Sequence, residues 1–553
     1  MIINNHYLQI KNIYFYIFSA YLLLGLHIAI PHLGGHGLYL PFNIIGWIFI
    51  AFIMGLSCYQ ISKNKKIVIT RIMIYNVIGS ILLIIPFFYT NNEYSHLANM
   101  RILGLLSGIF LFFSFHQFGF TKNENHRALY IVLGSAMIQS IIRAIDEIFP
   151  KNDLFLIFLD SNFNAMAQNN IYATFLTTNI LISLYLIFKD ENLDNSLWKK
   201  ILVYTIPLLA CIQLFQLQSR TGYLSFFIGT GFTIFFGIRK NKNFYFWVIA
   251  LCIGLIIGLS SYRISRINKE LEYSINTRLT TYSLTFDMIK NNPISGIGYG
   301  AFLSSFRHYY AEEKEKNRLL ETIGNNNMSH PHNEILFWTV EGGILPFIGL
   351  LIISGGFIAL IWNTKQKKAW FMIGMTIPIL LHTQLELPFY ISLIHWFIFI
   401  FLLYMLDDQF STKVELNIAL LSPFRIFSIV IPSTVTFYML TTLESAKLIT
   451  EFERTGYKNP TLLVSIPNPH AWQKKYETLI MKLNLEIAKK TKDITKLNKY
   501  INWAENYIKH SPYLFIYYDL ATAYETIGNG EKAWEIYNIG KYLYPGAKWR
   551  DNP

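Results

Sequence analysis

About thirteen stretches of this chain stay apolar for long enough to cross a lipid bilayer, and that succession dictates the fold class. They run at about 13–31, 44–62, 67–88, 98–120, 128–149, 171–188, 201–218, 222–237, 244–261, 334–360, 369–386, 389–406 and 424–444. Inside a bilayer no water satisfies a backbone N–H or C=O, so each stretch has to be helical. The expected fold is all-α: a polytopic membrane helix bundle of about 13 transmembrane helices. Only 15% of the residues are charged, against about 25% in a soluble domain. The first apolar run is long enough to span, so no cleavable leader is expected.

The formal net charge of +13 would suggest nucleic acid on a soluble protein. In a polytopic chain the cheaper reading is loop Lys and Arg that set topology, and nucleic acid is not an expected partner. Four short loops are basic: Lys63-Asn64-Lys65-Lys66, Trp198-Lys199-Lys200, Arg239-Lys240-Asn241-Lys242 and Lys365-Gln366-Lys367-Lys368. With the N-terminus inside, all four fall on the cytoplasmic side. The alternate loops 32–43, 89–97, 150–170 and 385–388 carry few or no basic residues and fall outside, as does the large loop 262–333. Cys58, Cys211 and Cys252 all lie in apolar runs, so neither a disulfide framework nor a metal site is expected of them.

The outer loops collect the candidate chemistry. Loop 150–170 ends in Asn162-Phe163-Asn164-Ala165-Met166-Ala167-Gln168-Asn169-Asn170, just before a helix. Amide side chains there can cap the helix, or hold sugar hydroxyls and phosphate oxygens. Ser219-Arg220-Thr221-Gly222 joins two apolar runs with almost no loop. Arg220 there either snorkels to lipid headgroups or binds an anion at the start of the next helix.

Arg263 and Arg266 sit just beyond a helix end, where a headgroup role is the simpler reading. Arg278 heads a segment whose Leu279, Tyr282, Leu284, Phe286 and Ile289 follow helical spacing, up to the stop at Asn291-Asn292-Pro293. That segment reads as an amphipathic helix on the membrane surface. Gly296, Gly298 and Gly300 then make a tight turn, with neither the Walker lysine nor the preceding strand of a nucleotide loop.

His330-Pro331-His332-Asn333-Glu334 stands at a helix start, because proline is excluded from a helix interior. The two histidines could cap the helix, move protons or ligate a metal, but no third metal ligand at helical spacing accompanies them. His382-Thr383-Gln384-Leu385-Glu386-Leu387-Pro388 ends a membrane run with a histidine and a carboxylate, both costly in lipid.

From 445 the composition becomes charged and rich in Lys, Asn and Tyr. Leu520 to Gly528, Ala533-Trp534, Tyr537 and Tyr544-Pro545-Gly546 follow a tetratricopeptide-like helix pair, with an earlier degenerate pair over 470–510. The chain therefore divides into a membrane domain, 1–444, and a helical domain, 445–553. With an odd number of crossings the second lies outside, and one clear repeat is expected to pack on the membrane domain.

The arrangement resembles the O-antigen ligase and polymerase superfamily across about 160 to 405. The matching elements are Ser219-Arg220-Thr221-Gly222, Arg278, Pro293-Ile294-Ser295-Gly296-Ile297-Gly298, His332-Asn333 and Glu341-Gly342-Gly343. Within it, two features are similar to the PglL-type bacterial O-linked protein oligosaccharyltransferases that glycosylate pilins. One is Gln168-Asn169-Asn170, where that family has proline in place of Asn169. The other is the His382…Glu386…Pro388 element followed by a helical tail.

The resemblance implies an inner-membrane enzyme with a periplasmic site. It would move a preassembled oligosaccharide from undecaprenyl diphosphate to a Ser or Thr hydroxyl of a periplasmic protein such as a pilin. His332 would be the catalytic general base; Arg220 and Arg278 would hold the diphosphate. His330, Gln168, Asn170, Asn333, His382 and Glu386 would bind or orient substrate. No cofactor or metal is implied, since the arginines take the place of a divalent ion. The partners implied are the lipid-linked glycan, the acceptor protein and membrane lipid. The alternatives are an O-antigen ligase acting on lipid A core, a polymerase extending the glycan, and, of another class, a lipid or sugar transporter. A transporter would carry its polar groups near the midplane, in repeated halves.

Overall fold

The computed structural model describes residues 2–89, 94–148, 168–237, 241–260, 269–317 and 328–549, with side chains from residue 9 and, in the helix beginning at Lys269, from residue 276. Arg263, Arg266, Asn162, Asn164 and the stretch 318–327 lie outside the described residues.

The chain opens with α1 (Ile2–Leu23), α2 (Pro41–Asn64), strand β1 (Lys66–Thr70), α3 (Arg71–Ile84), α4 (Asn99–Gln117) and α5 (Lys122–Ile148). It continues through α6 (Asn169–Lys189), α7 (Leu197–Leu217), α8 (Arg220–Gly237) and α9 (Lys242–Ser260). Next come α10 (Lys269–Asn291), α11 (Phe302–Lys316), α12 (Glu334–Gly342) and α13 (Ile344–Thr364). After them follow α14 (Lys367–Gly374), α15 (Ile377–Thr383), α16 (Pro388–Ile391), α17 (Leu393–Phe410), strand β2 (Lys413–Asn417), α18 (Ser422–Arg454) and α19 (Thr461–Val464). Four helices close the chain: α20 (Gln473–Thr491), α21 (Ile494–His510), α22 (Leu514–Thr526) and α23 (Gly530–Leu543).

Among the described residues ten helices are long and apolar enough to cross a membrane. The protein is an all-α, multi-pass membrane protein, apart from one two-stranded sheet. Three of the expected runs fall short of that standard. The first half of α1 carries Asn4, Asn5, His6, Gln9 and Lys11. Helix α8 has 18 residues and starts on Arg220. The run 369–386 breaks into α14 and α15, with Pro378 in the first turn of α15. The run 334–360 also divides, at Gly343, into α12 and the span α13.

Two compact units emerge. The first comprises Met1–Val77, Leu106–Arg263 and Ile353–Trp472. Its centre is α6, in which every residue from Ile171 to Ile187 is buried. A helix apolar on all sides must be surrounded, and α5, α7, α8, α9 and α15 surround it. Its buried Thr177, Thr178, Asn179 and Ser183 donate to carbonyls three or four residues back, which satisfies their donor groups inside the core. Helix α9 packs on α7 through Gly254 and Gly258; a Cβ at Gly258 would lie 3.0 Å from Cys211 O, so only a small residue permits the approach. Strands β1 and β2 pair antiparallel, and Gln117 closes the far edge of β1, accepting from Val68 N–H and donating to Val68 O, both at 3.0 Å.

The second unit comprises Ile78–Leu105, Ile264–Ile352 and Gln473–Pro553. One core joins Leu284 and Met288 of α10, Phe302, Phe306 and Tyr310 of α11, and Val340 of α12. A second core fills α20 to α23 and includes Ala311 of α11. The hairpins α20/α21 and α22/α23 occupy the stretch read as two tetratricopeptide-like pairs, and the second helix of each is capped by Asp493 and Asn529, whose side chains accept from Lys496 N and Lys532 N at 3.1 Å. Helix α11 is bolted to them: Ser304 Oγ donates to Lys509 O at 2.7 Å, and the buried Arg307 guanidinium stacks 4.2 Å from the Tyr544 ring. The composition change at 445 falls inside α18, which runs unbroken to Arg454.

Candidate functional site

In the first unit the helix starts of α6 and α8 are tied together by side chains. Ser219 begins α8 by accepting Gly222 N–H at 3.1 Å, and its own hydroxyl donates to Asn170 Oδ1 at 2.8 Å. Asn169 Nδ2 reaches Leu217 O at 3.3 Å. The amides therefore stitch α6 to the α7–α8 corner and do not cap their own helix; Gln168, at the head of α6, makes no side-chain cap bond and is exposed. Arg220 is the first residue of α8 and is exposed there, at the positive end of the helix dipole.

His382, at the end of α15, is fully buried, with Nδ1 2.8 Å from Thr174 Oγ1. Thr174 belongs to the first turns of α6, so His382 grips the same helix start that carries Gln168 and Asn170. Glu386 is half-buried one turn on, its N–H bonded to His382 O at 2.9 Å. His395, buried at the head of α17, stands perpendicular to His382 with ring centroids 6.4 Å apart, its Nδ1 2.9 Å from Ser392 Oγ. His395 went unnoticed in the sequence because one histidine in a long apolar run reads as a span residue; its cost in lipid was the available signal.

In the second unit α10, a glycine turn and α12 build one assembly. Helix α10 is amphipathic, but its buried face is not the one its spacing predicts: Thr281, Leu284, Thr285 and Met288 are buried, while Leu279 and Phe286 are 61% and 55% exposed. Arg278 and Tyr282 lie four residues apart, on one face. The Tyr282 hydroxyl donates to His332 O at 3.2 Å, so this face of α10 brings Arg278 to the neighbourhood of His332.

Asn333 is the N-cap of α12, its Oδ1 accepting Leu336 N–H at 2.9 Å. His332 precedes it with φ +56, a left-handed conformation that costs a non-glycine residue about 1 kcal/mol. The His330 and His332 rings meet edge to face, centroids 4.5 Å apart. Glu334, the first residue of α12, is half-buried; burial pushes its carboxyl up to about 7, against the pull of Arg101 and a bond to Trp338.

In the glycine turn the N–H groups of residues 296 to 298 are taken by backbone carbonyls. Gly296 N–H bonds Asn292 O at 3.1 Å, and Ile297 and Gly298 N–H bond Val340 O and Glu341 O at 2.9 Å. The turn is a bracket on the end of α12. Gly296 and Gly343 both have positive φ, and a Cβ on either would press into the other strand of the bracket.

Arg101 locks this bracket, a residue hidden inside the run 98–120. It forms a buried ion pair with Glu341, among the rings of Tyr299, Phe337 and Trp338 at 4.6, 4.4 and 4.5 Å. Glu341 Oε1 also accepts Phe302 N–H at 3.1 Å, which fixes the start of α11. An arginine within an apolar stretch was the signal to follow.

Comparison with known families now has a geometry to meet. The profile of the family described as "O-Antigen ligase" matches residues 206–351, from α7 to α13. A second, "Virulence factor membrane-bound polymerase, C-terminal", matches 370–552, from α14 through the helical hairpins. The chain belongs to the O-antigen ligase and polymerase superfamily. Seven of the candidate residues fall within the matched stretches, Arg220, Arg278, His330, His332 and Asn333 in the first and His382 and Glu386 in the second, while Gln168 and Asn170 precede both. None of the curated proteins matches the chain.

Proposed function

We propose that the protein is an O-oligosaccharyltransferase that moves a preassembled glycan en bloc from undecaprenyl diphosphate to a Ser or Thr hydroxyl of a periplasmic protein such as a pilin. The observation that carries the reading is His332, held in a left-handed backbone conformation at the head of α12, with Arg278 one helical turn from the tyrosine that bonds its carbonyl. The acceptor hydroxyl attacks the anomeric carbon as its proton passes to His332, acting as general base. The bond from that carbon to the diphosphate oxygen breaks, and the electron pair leaves with the diphosphate. Arg278 and Arg220 meet the growing negative charge with planar, permanently charged donors. Gln168 and Asn170, at the start of α6, serve the sugar; His382 and Glu386 support that helix start. The site faces the periplasm of the inner membrane, as the basic loops argue.

The protein-acceptor reading rests on the PglL resemblance of the His382–Pro388 element and the tail, both of which lie within the match of 370–552. Its description as a polymerase favours a second reading: the same chemistry with a glycan hydroxyl as acceptor.

The test is transfer in a host carrying a lipid-linked glycan, a candidate pilin and a lipid A core acceptor. Pilin glycosylation is expected from the intact protein and should fall roughly a hundred- to ten-thousand-fold in His332→Ala at equal membrane expression. Glycan on lipid A alone would make the protein a ligase, and longer lipid-linked chains alone would make it a polymerase. Full transfer by the variant would remove His332 from the chemistry.

A further inference from the structure

We infer that Tyr282 and His330 are positioning residues that clamp the backbone of His332 from two sides, with His330 acting through an unprotonated Nδ1 as an acceptor and not as the proton carrier. The inference rests on the reading of His332 as the base and divides the labour between two histidines that only the resemblance of His332-Asn333 tells apart in the sequence.

Both polar groups of residue 332 are held by side chains. Its N–H donates to His330 Nδ1 at 3.2 Å, and its C=O accepts from Tyr282 Oη at 3.2 Å. Pro331 sets its own φ near −65° and biases His330 toward an extended backbone, which lets the ring fold back over the peptide two residues on. This is the bond pattern of an Asx turn, made by an imidazole nitrogen in place of a carboxamide oxygen. An Nδ1 that accepts must present its lone pair, so a neutral His330 carries its proton on Nε2.

The left-handed φ of +56 explains why a clamp is needed. A β-carbon disfavours that region, and without the two bonds His332 relaxes toward an extended conformation, which re-aims its ring. Asn333 cannot prevent this, since its side chain is engaged with Leu336 N–H. Neighbouring rings keep His330 in place: His332 at 4.5 Å and Phe337 at 6.3 Å between centroids.

The full-length protein in detergent, supplied with lipid-linked oligosaccharide and an acceptor, tests this. His330→Ala and Tyr282→Phe are each expected to lower kcat roughly 10- to 100-fold, with KM nearly constant and thermal unfolding unchanged. His330→Asn is expected to recover most of the loss, because a carboxamide oxygen accepts the same N–H but cannot carry the proton. A nitrogen spectrum of histidine-labelled protein, assigned by difference with His330→Asn, should show a pyridine-type Nδ1 at residue 330. Wild-type kcat in His330→Ala, or an Asn variant as slow as the Ala variant, overturns the proposal, as does a protonated Nδ1. Should His332→Ala keep full transfer, the base assignment falls alone, and the spectrum still decides whether the clamp exists.

Discussion

At the scale of single residues, Arg101, Glu341 and Glu334 of the second unit sort into a lock and a sensor. Arg101 and Glu341 are the lock, and their value lies in being paired. Arg101→Met leaves Glu341 buried and uncompensated, and the expected loss is about 3–5 kcal/mol, read as a lower unfolding temperature and a lower membrane yield. Arg101→Met with Glu341→Gln should recover most of it, because a neutral carboxamide still accepts the Phe302 N–H. Glu334 is the sensor. Its carboxyl is raised from an ordinary 4.5 to about 7. A raised acid favours the folded state below its ordinary value and forfeits that advantage as pH climbs through the folded one. Stability is therefore expected to fall between about pH 4.5 and pH 7 on this account, and Glu334→Gln should flatten that slope in unfolding scans across the same range. A slope unchanged in the variant would assign the titration to another group.

At the scale of elements, the turn 293–300 and the end of α12 act as one piece, and their glycines are there for approach and φ. Gly343 has φ +74, and an added Cβ would press into Ile294 O. Gly343→Ala is thus strained twice over, and a substantial drop in folded protein is expected from size-exclusion profiles. Gly355, in α13, has open space around its Cβ position, so Gly355→Ala should leave the profile unchanged. The same bracket explains how a short helix, α12, can carry the candidate base: its start is capped by Asn333, its end is pinned by Glu341 and the turn, and His332 is the residue before the cap. The α6 start is built on a similar plan, with Ser219, Asn170, Thr174 and His382 bonding across three helices.

At the scale of the whole molecule, the helical tail belongs with the polar loop: α20 to α23 share a unit with α10, α11 and α12. Deleting 473–553 would expose Ala311 and the buried face of Arg307, so the expected outcome is loss of folded protein, seen as degradation, before any question of acceptor binding arises. Tail function is better probed by surface changes on the hairpins. Folded, abundant protein after the deletion would show that α11 does not depend on its partners. Much of this was legible beforehand. Apolar runs dictate helices wherever water is absent, so the membrane class and most spans followed from residue order alone, as did the helical state of α10, though not its buried face, and the helix start at Asn333. The candidate residues Arg220, Arg278, His330 and His332 came from local chemistry and a resemblance in spacing. What the sequence did not determine was every feature that depends on a partner distant in the chain. Arg101 is 240 residues from Glu341, and Thr174 is 208 from His382. The glycines read only as a tight turn until Val340 and Glu341 claim the N–H groups of Ile297 and Gly298. Which histidine holds and which is held was fixed only when Tyr282 reached across from α10. Periodicity records whether a residue is buried, because burial repeats along an element; the direction of a hydrogen bond does not repeat, so only the tertiary structure decides it.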